Sequence, residues 1–207
     1  MEMITEWAGQ AWSLIGLYSD RILEVAGLLI GLAYLYWEYR ADWKVWVAGL
    51  IMPAISLFVY WNAGLYADFG IDIYYLLAAI YGFCCWRWGG GKKNRELPIT
   101  FTPRMMWMYL AAVFVLIYVG IVYVLIHFTD STVPYWDALN TSLSIIGMWM
   151  LARKWVEQWL VWLVVDAISS GLYIYKEIYF YAVLYLIYTI IAWFGYQEWR
   201  RKMTRER

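Results

Sequence analysis

Reactive side chains are scarce in this 207-residue chain, which has one histidine, His127, and two cysteines, the neighbours Cys84 and Cys85. Adjacent cysteines rarely close a disulfide, and with no histidine beside them they lack metal spacing, so both read as packing thiols and no metal site is expected. No GxSxG or HExxH stretch offers a nucleophile with its base, and no glycine-rich loop is built to cradle phosphates. An enzyme therefore lacks its equipment, and no cofactor is implied. An excess of one charge is missing too: 16 basic residues balance 16 acidic ones, which gives no signal for nucleic acid.

What is present is hydrocarbon. The chain is 64% hydrophobic and 21% aromatic, with a mean hydropathy of +0.54, against an apolar share of about half in soluble domains. This composition describes an integral membrane protein. Crossing a hydrocarbon core of roughly 30 Å takes about 20 apolar residues as helix, and the apolar blocks are too long and unalternating for barrel strands. An all-α bundle of seven transmembrane helices is expected, at about 22–39, 44–63, 70–88, 105–128, 135–152, 155–174 and 178–199. Charged or turn-forming stretches such as "EYRADWK", "GGGKKNRELPITFTPR" and "LARKW" separate them.

Lysine and arginine collect on the cytoplasmic side of membrane proteins because cationic loops resist translocation. With the C-terminus inside, all 16 fall inside except Arg21 and Lys176. The expected topology is N-out/C-in. Residues 1–21 lack a basic start before their apolar part, so a short interfacial segment is expected rather than a cleaved signal.

Sliding the chain against itself by 113 residues reveals an internal repeat. It aligns Ala54-Ile55-Ser56 with Ala167-Ile168-Ser169, Tyr60 with Tyr173, Tyr66 with Tyr179, Tyr75 with Tyr188, Ala79 with Ala192, Gly82 with Gly195 and Trp86-Arg87 with Trp199-Arg200. Upstream, Trp46 meets Trp159 and Arg40 meets Arg153. The chain divides accordingly: a first three-helix repeat over 22–88, a loop and linker helix over 89–134, a second repeat over 135–201 and a basic tail over 202–207. Parallel triplets joined by a linker helix are a transporter plan, with the solute site near the bilayer midplane between halves.

That plan directs attention to Asp166, near the middle of the sixth span. A carboxylate at that depth costs about 2.5–3.5 kcal/mol on insertion scales, so it faces a partner or a solute path. Trp159, Trp162, Asp166, Ser169 and Tyr173 follow one another at helical spacing and share a face. Asn140 and Ser144 form a polar stripe on the fifth span. In the first half, Gly27 and Gly31 replace these two, and Pro53 stands where Asp166 would be. The competing readings are structural: serines bonding back to a carbonyl one turn earlier, and Trp86, Trp149 and Trp199 as an interfacial belt. Asp68 and Asp72 read as a solvated outer rim or, less directly, as an outer vestibule attracting cations. His127 reads as a wet loop residue.

The stretches "WDALNTSLSIIGMWMLARKWVEQWLVWLVVDAISSGLY", "LYLIYTIIAWFGYQEW", "GLYADFGIDIYYLLAAIYGFCCW" and "RELPITFT" resemble the bacterial Pnu vitamin transporters over about residues 22–201. The resemblance implies a seven-helix 3+1+3 arrangement with SWEET-like pseudo-symmetry in a bacterial cytoplasmic (inner) membrane, in a family whose members often assemble as homotrimers. It also implies facilitated diffusion of an unphosphorylated vitamin, which a cytoplasmic kinase then traps. Asp72 and Asp166 depart from the glutamine and asparagine common in the nicotinamide riboside branch, and Ala79 from an asparagine. This leaves nicotinamide riboside, thiamine and riboflavin open as ligands, with the first expected. A cationic ring would stack on Trp159 or Trp162 and be neutralised by Asp166, and a ribose would find partners in Asn140, Gln158 and Ser144. With one nearly solitary intramembrane acid, uniport by rocking of the triplets is the expected mechanism.

Overall fold

The computed structural model describes residues 29–63, 66–89 and 96–205. The interfacial segment expected over 1–21 lies outside the described residues. Helix α1 is helical through 29–40, followed by α2 (Lys44–Ala63), α3 (Tyr66–Trp88), α4 (Arg104–Phe128), α5 (Pro134–Ala152), α6 (Gln158–Tyr175) and α7 (Tyr179–Arg205). No strand is assigned among the described residues. Three segments are long and apolar enough to cross a membrane by length and composition: Phe69–Trp88, Arg104–Phe128 and Tyr179–Arg205. Helices α5 and α6 are interrupted by buried polar residues, including Ser142, Ser144, Asp166 and Ser169. Their polarity faces inward, whereas α4 buries only Leu110 and turns apolar side chains outward nearly all round.

The ends of α1 and α5 are built alike. The Ala41 N–H bonds to Glu38 O at 2.9 Å and Asp42 N–H to Trp37 O at 2.9 Å. One repeat later, Lys154 N–H bonds to Leu151 O at 2.8 Å and Trp155 N–H to Met150 O at 3.1 Å. Each pair closes a helix by the Schellman pattern, which requires a left-handed residue after the helix. Ala41 (φ 57°) and Lys154 (φ 58°) fill that position without being glycine.

This turn moves the start of α6 from the expected 155 to 158. Thr100 instead forms an isolated parallel bridge with Trp155, and Thr102 donates from both N–H and Oγ1 to Glu157 Oε2 at 2.9 Å. The segment before α4 is thereby pinned to the α5–α6 turn. At the other end of the chain the basic tail continues α7 to Arg205.

Trp46, Trp86, Trp159 and Trp199 pack together in the core. Trp46 meets Trp86 edge to face at 5.5 Å, Trp159 meets Trp199 at 5.8 Å, and Trp86 and Trp199 lie 6.0 Å apart between these pairs. Trp86 Nε1 donates to Leu151 O at 3.1 Å, and Trp199 Nε1 donates to Glu38 O at 3.0 Å. These two bonds are counterparts at the 113-residue offset, each running from one half to the other. Trp86 and Trp199 are thus 1% and 0% exposed, not members of an interfacial belt. Trp149 does sit outside, stacked on Tyr81. The glycines of the repeat explain the fit: a Cβ on Gly82 would collide with the Trp46 ring, and one on Gly195 would lie 2.6 Å from the Trp159 ring.

Candidate functional site

A cavity of about 380 Å³ is lined by residues from 30–75 and from 148–192. This lies within the range of small-molecule pockets, which run to roughly 300–1,000 Å³. Its walls contain counterparts from each half: Leu35 and Met148, Gly49 and Trp162, Pro53 and Asp166, Tyr75 and Tyr188. Where the first half offers a glycine and a proline, the second offers an indole and a carboxylate. Space and chemistry come from opposite sides.

Of the residues singled out by helical spacing, Trp159, Trp162 and Asp166 line this cavity. Asp166 is 8% exposed. Trp162 is held against α5 because Gly147 has no side chain: a Cβ there would lie 3.3 Å from the indole. The Trp159 and Trp162 Nε1 atoms are buried with no hydrogen-bond partner. Trp46 Nε1 shares that state outside the cavity lining, so Trp162, whose counterpart is Gly49, is the more specific donor.

The other expected partners are turned to each other. Asn140 Nδ2 donates to Ser169 Oγ at 3.0 Å, and Ser144 Oγ donates to Asn140 O at 2.9 Å. Ser170 Oγ ties α6 to α7 through Ala182 O at 2.8 Å. Tyr173 stacks on Tyr181 and Tyr185 at 5.3 Å each. Gln158 is fully buried and donates from Nε2 to Glu38 Oε1 at 3.2 Å. These residues brace the walls without lining the cavity. Asp72 is half-buried on α3, away from it, and the Asp68 side chain lies outside the described residues.

Two groups were missed by the sequence reading. Tyr185 and Tyr188 add phenols from α7, and Glu38 adds a second carboxylate from α1 that is 3% exposed. The tyrosines carried a signal, since Tyr188 repeats Tyr75. Glu38 carried none: it stands at the end of its span, where an acid ordinarily reaches water. Among the described lining residues there is no lysine, arginine or histidine. The cavity is an aromatic box with two acids.

Comparison with known proteins agrees with this geometry. Residues 21–201 match the family described as nicotinamide mononucleotide transporter. The chain belongs to this family. It is similar to the nicotinamide riboside transporter PnuC of Escherichia coli, with 27% identity over 200 residues covering 84% of this chain and 82% of the relative. It is also similar to the riboflavin/roseoflavin transporter RibM of Streptomyces davaonensis, at 25% identity over 188 residues, covering 88% and 86%. Among solved structures, the crystal structure of the vitamin B3 transporter PnuC superposes with a TM-score of 0.64 at 19% identity, covering 86% of this chain and 80% of that one. The protein is a membrane transporter for a small vitamin-like solute, and its relatives are transporters rather than enzymes.

Proposed function

We propose that the protein carries nicotinamide riboside, an unphosphorylated cationic vitamin, across the cytoplasmic membrane by facilitated diffusion. The observation that carries this reading is the lining of the cavity: Asp166 and Glu38 face it among aromatic rings, and no basic described residue lines it. A mononucleotide would bring a phosphate, whose recognition calls for arginine, lysine or clustered N–H donors. Two acids repel it. A permanently cationic ring gains instead from stacking on indole and from a buried carboxylate. The names of the PnuC relatives support the same choice.

Thiamine is the second reading, because it too is a cationic aromatic and because the Asn140 amide donates to Ser169 and the Ser144 hydroxyl to the Asn140 carbonyl rather than to a sugar. Riboflavin, carried by the RibM relative, is uncharged and would leave Asp166 unneutralised.

The bundle works, in this reading, as a 3+1+3 arrangement with SWEET-like pseudo-symmetry and N-out/C-in topology, in which the halves 22–88 and 135–201 rock about the cavity. The reciprocal indole bonds of Trp86 and Trp199 and the matched left-handed turns at Ala41 and Lys154 support it. Opening toward the cytoplasm then breaks both indole bonds together with the Gln158–Glu38 contact. Assembly as a homotrimer and trapping of the vitamin by a cytoplasmic kinase complete the picture. Ligand binding to the folded state alone raises its stability. Calorimetry on the purified protein with nicotinamide riboside, nicotinamide mononucleotide, thiamine and riboflavin should give heat with the riboside and none with the mononucleotide. Tight mononucleotide binding would overturn the reading.

A further inference from the structure

We propose that Glu38 is a second solute-contacting carboxylate, which holds the vicinal diol of a ribosyl cation while the ring sits at Trp162 and Asp166. This rests on the cation reading above and adds what the far end of the solute must be. Glu38 lines the cavity from the last turn of α1, is 3% exposed, and accepts one hydrogen bond, from the neutral amide of Gln158 at 3.2 Å. An acid buried this fully demands donors around it. Asp166 is not its partner but another acid.

Position decides which part of the solute Glu38 meets. Gln158 and Asp166 are eight residues apart on α6, which is about 12 Å along a helix axis at 1.5 Å per residue. A solute whose positive ring is at Asp166 therefore presents its other end to the Glu38–Gln158 pair. That end of the site offers the Glu38 carboxylate as acceptor, and Gln158 behind it holds the carboxylate through its Nε2. A solute fragment with two adjacent donors suits it, and neighbouring hydroxyls on a five-membered sugar supply these at a spacing that a carboxylate can grip, as acidic residues do with ribose elsewhere. Of the buried indole donors, Trp162 stands one helical turn from Asp166, where a carboxamide oxygen could accept from its Nε1, whereas Trp159 stands beside Gln158 at the Glu38 end.

The test compares two probes in calorimetry on the purified full chain: nicotinamide riboside and N-methylnicotinamide, which has the cationic ring but no sugar. Glu38→Gln keeps an acceptor for Gln158 and should lower affinity for the riboside about tenfold while leaving N-methylnicotinamide binding unchanged, a difference equal to the loss of one charge-assisted contact. Asp166→Asn should weaken both. A Glu38→Gln variant that weakens both probes equally, or neither, would overturn the proposal, since a merely structural role does not alter their ratio. If Glu38→Gln lowers the yield of folded protein, Glu38→Asp retains the charge but shortens the reach, and the same ratio must fall. Failure of the wild-type protein to bind either probe would instead overturn the cation reading on which the proposal rests.

Discussion

Asp166 is buried on α6 with Pro53 as its counterpart, so its carboxylate is an addition made by one half only. Replacing it with asparagine removes charge while keeping shape. Uptake of a cationic vitamin should then fall about tenfold or more, the equivalent of roughly 1.4 kcal/mol, with melting temperature in detergent unchanged. Unchanged uptake would remove Asp166 from the solute path. Ala41 allows a prediction of opposite sign. Its φ of 57° is costly for any residue with a Cβ, so Ala41→Gly should raise stability by about 0.5–1 kcal/mol, read as a higher melting temperature. At this scale the sequence was informative where spacing mattered and silent where rotation mattered. The i, i+3, i+7 pattern put Trp159, Trp162 and Asp166 on one face, and all three meet in the cavity. Glu38 and Trp199 could not be placed this way, because an acid or an indole near a span end has the same pattern whether it points to water, lipid or a neighbouring helix.

Among the helices, the limits expected for α2 at 44–63 and for α4 at 105–128 nearly coincide with Lys44–Ala63 and Arg104–Phe128, because both are uniformly apolar and end in loops with charge or turn residues. The start of α6 escaped notice, since the turn at Lys154 depends on a bridge to Thr100 that no local pattern announces. Glu157 is the anchor of that junction, accepting both Thr102 bonds at 2.9 Å. Glu157→Ala should therefore destabilise the protein by about 2 kcal/mol, since hydrogen bonds to charged groups are worth roughly 1.5–3 kcal/mol. It should also speed protease cleavage within residues 96–103. Cleavage at the wild-type rate would show that the anchor contributes little. The expected polar stripe of Asn140 and Ser144 also changes meaning at this scale: it fastens α5 to α6 and gives the site a rigid wall.

For the whole molecule, the 113-residue offset was legible as identities in the sequence, whereas the crossed bonds of Trp86 and Trp199 needed three dimensions. The rocking of halves proposed above would require no ion gradient. Counterflow of labelled vitamin in proteoliposomes should proceed without one, and transport only under a proton gradient would exclude the uniport reading. The crossed bonds also bear on how the protein comes to exist. Trp86 Nε1 waits for a carbonyl made 65 residues later, and Glu38 O waits for an indole made 161 residues later. With ribosomes adding about 5–20 residues per second, the Trp199 bond and the cavity wall of Tyr185 and Tyr188 both wait until α7 emerges. The binding chamber is complete only once α7 has been made.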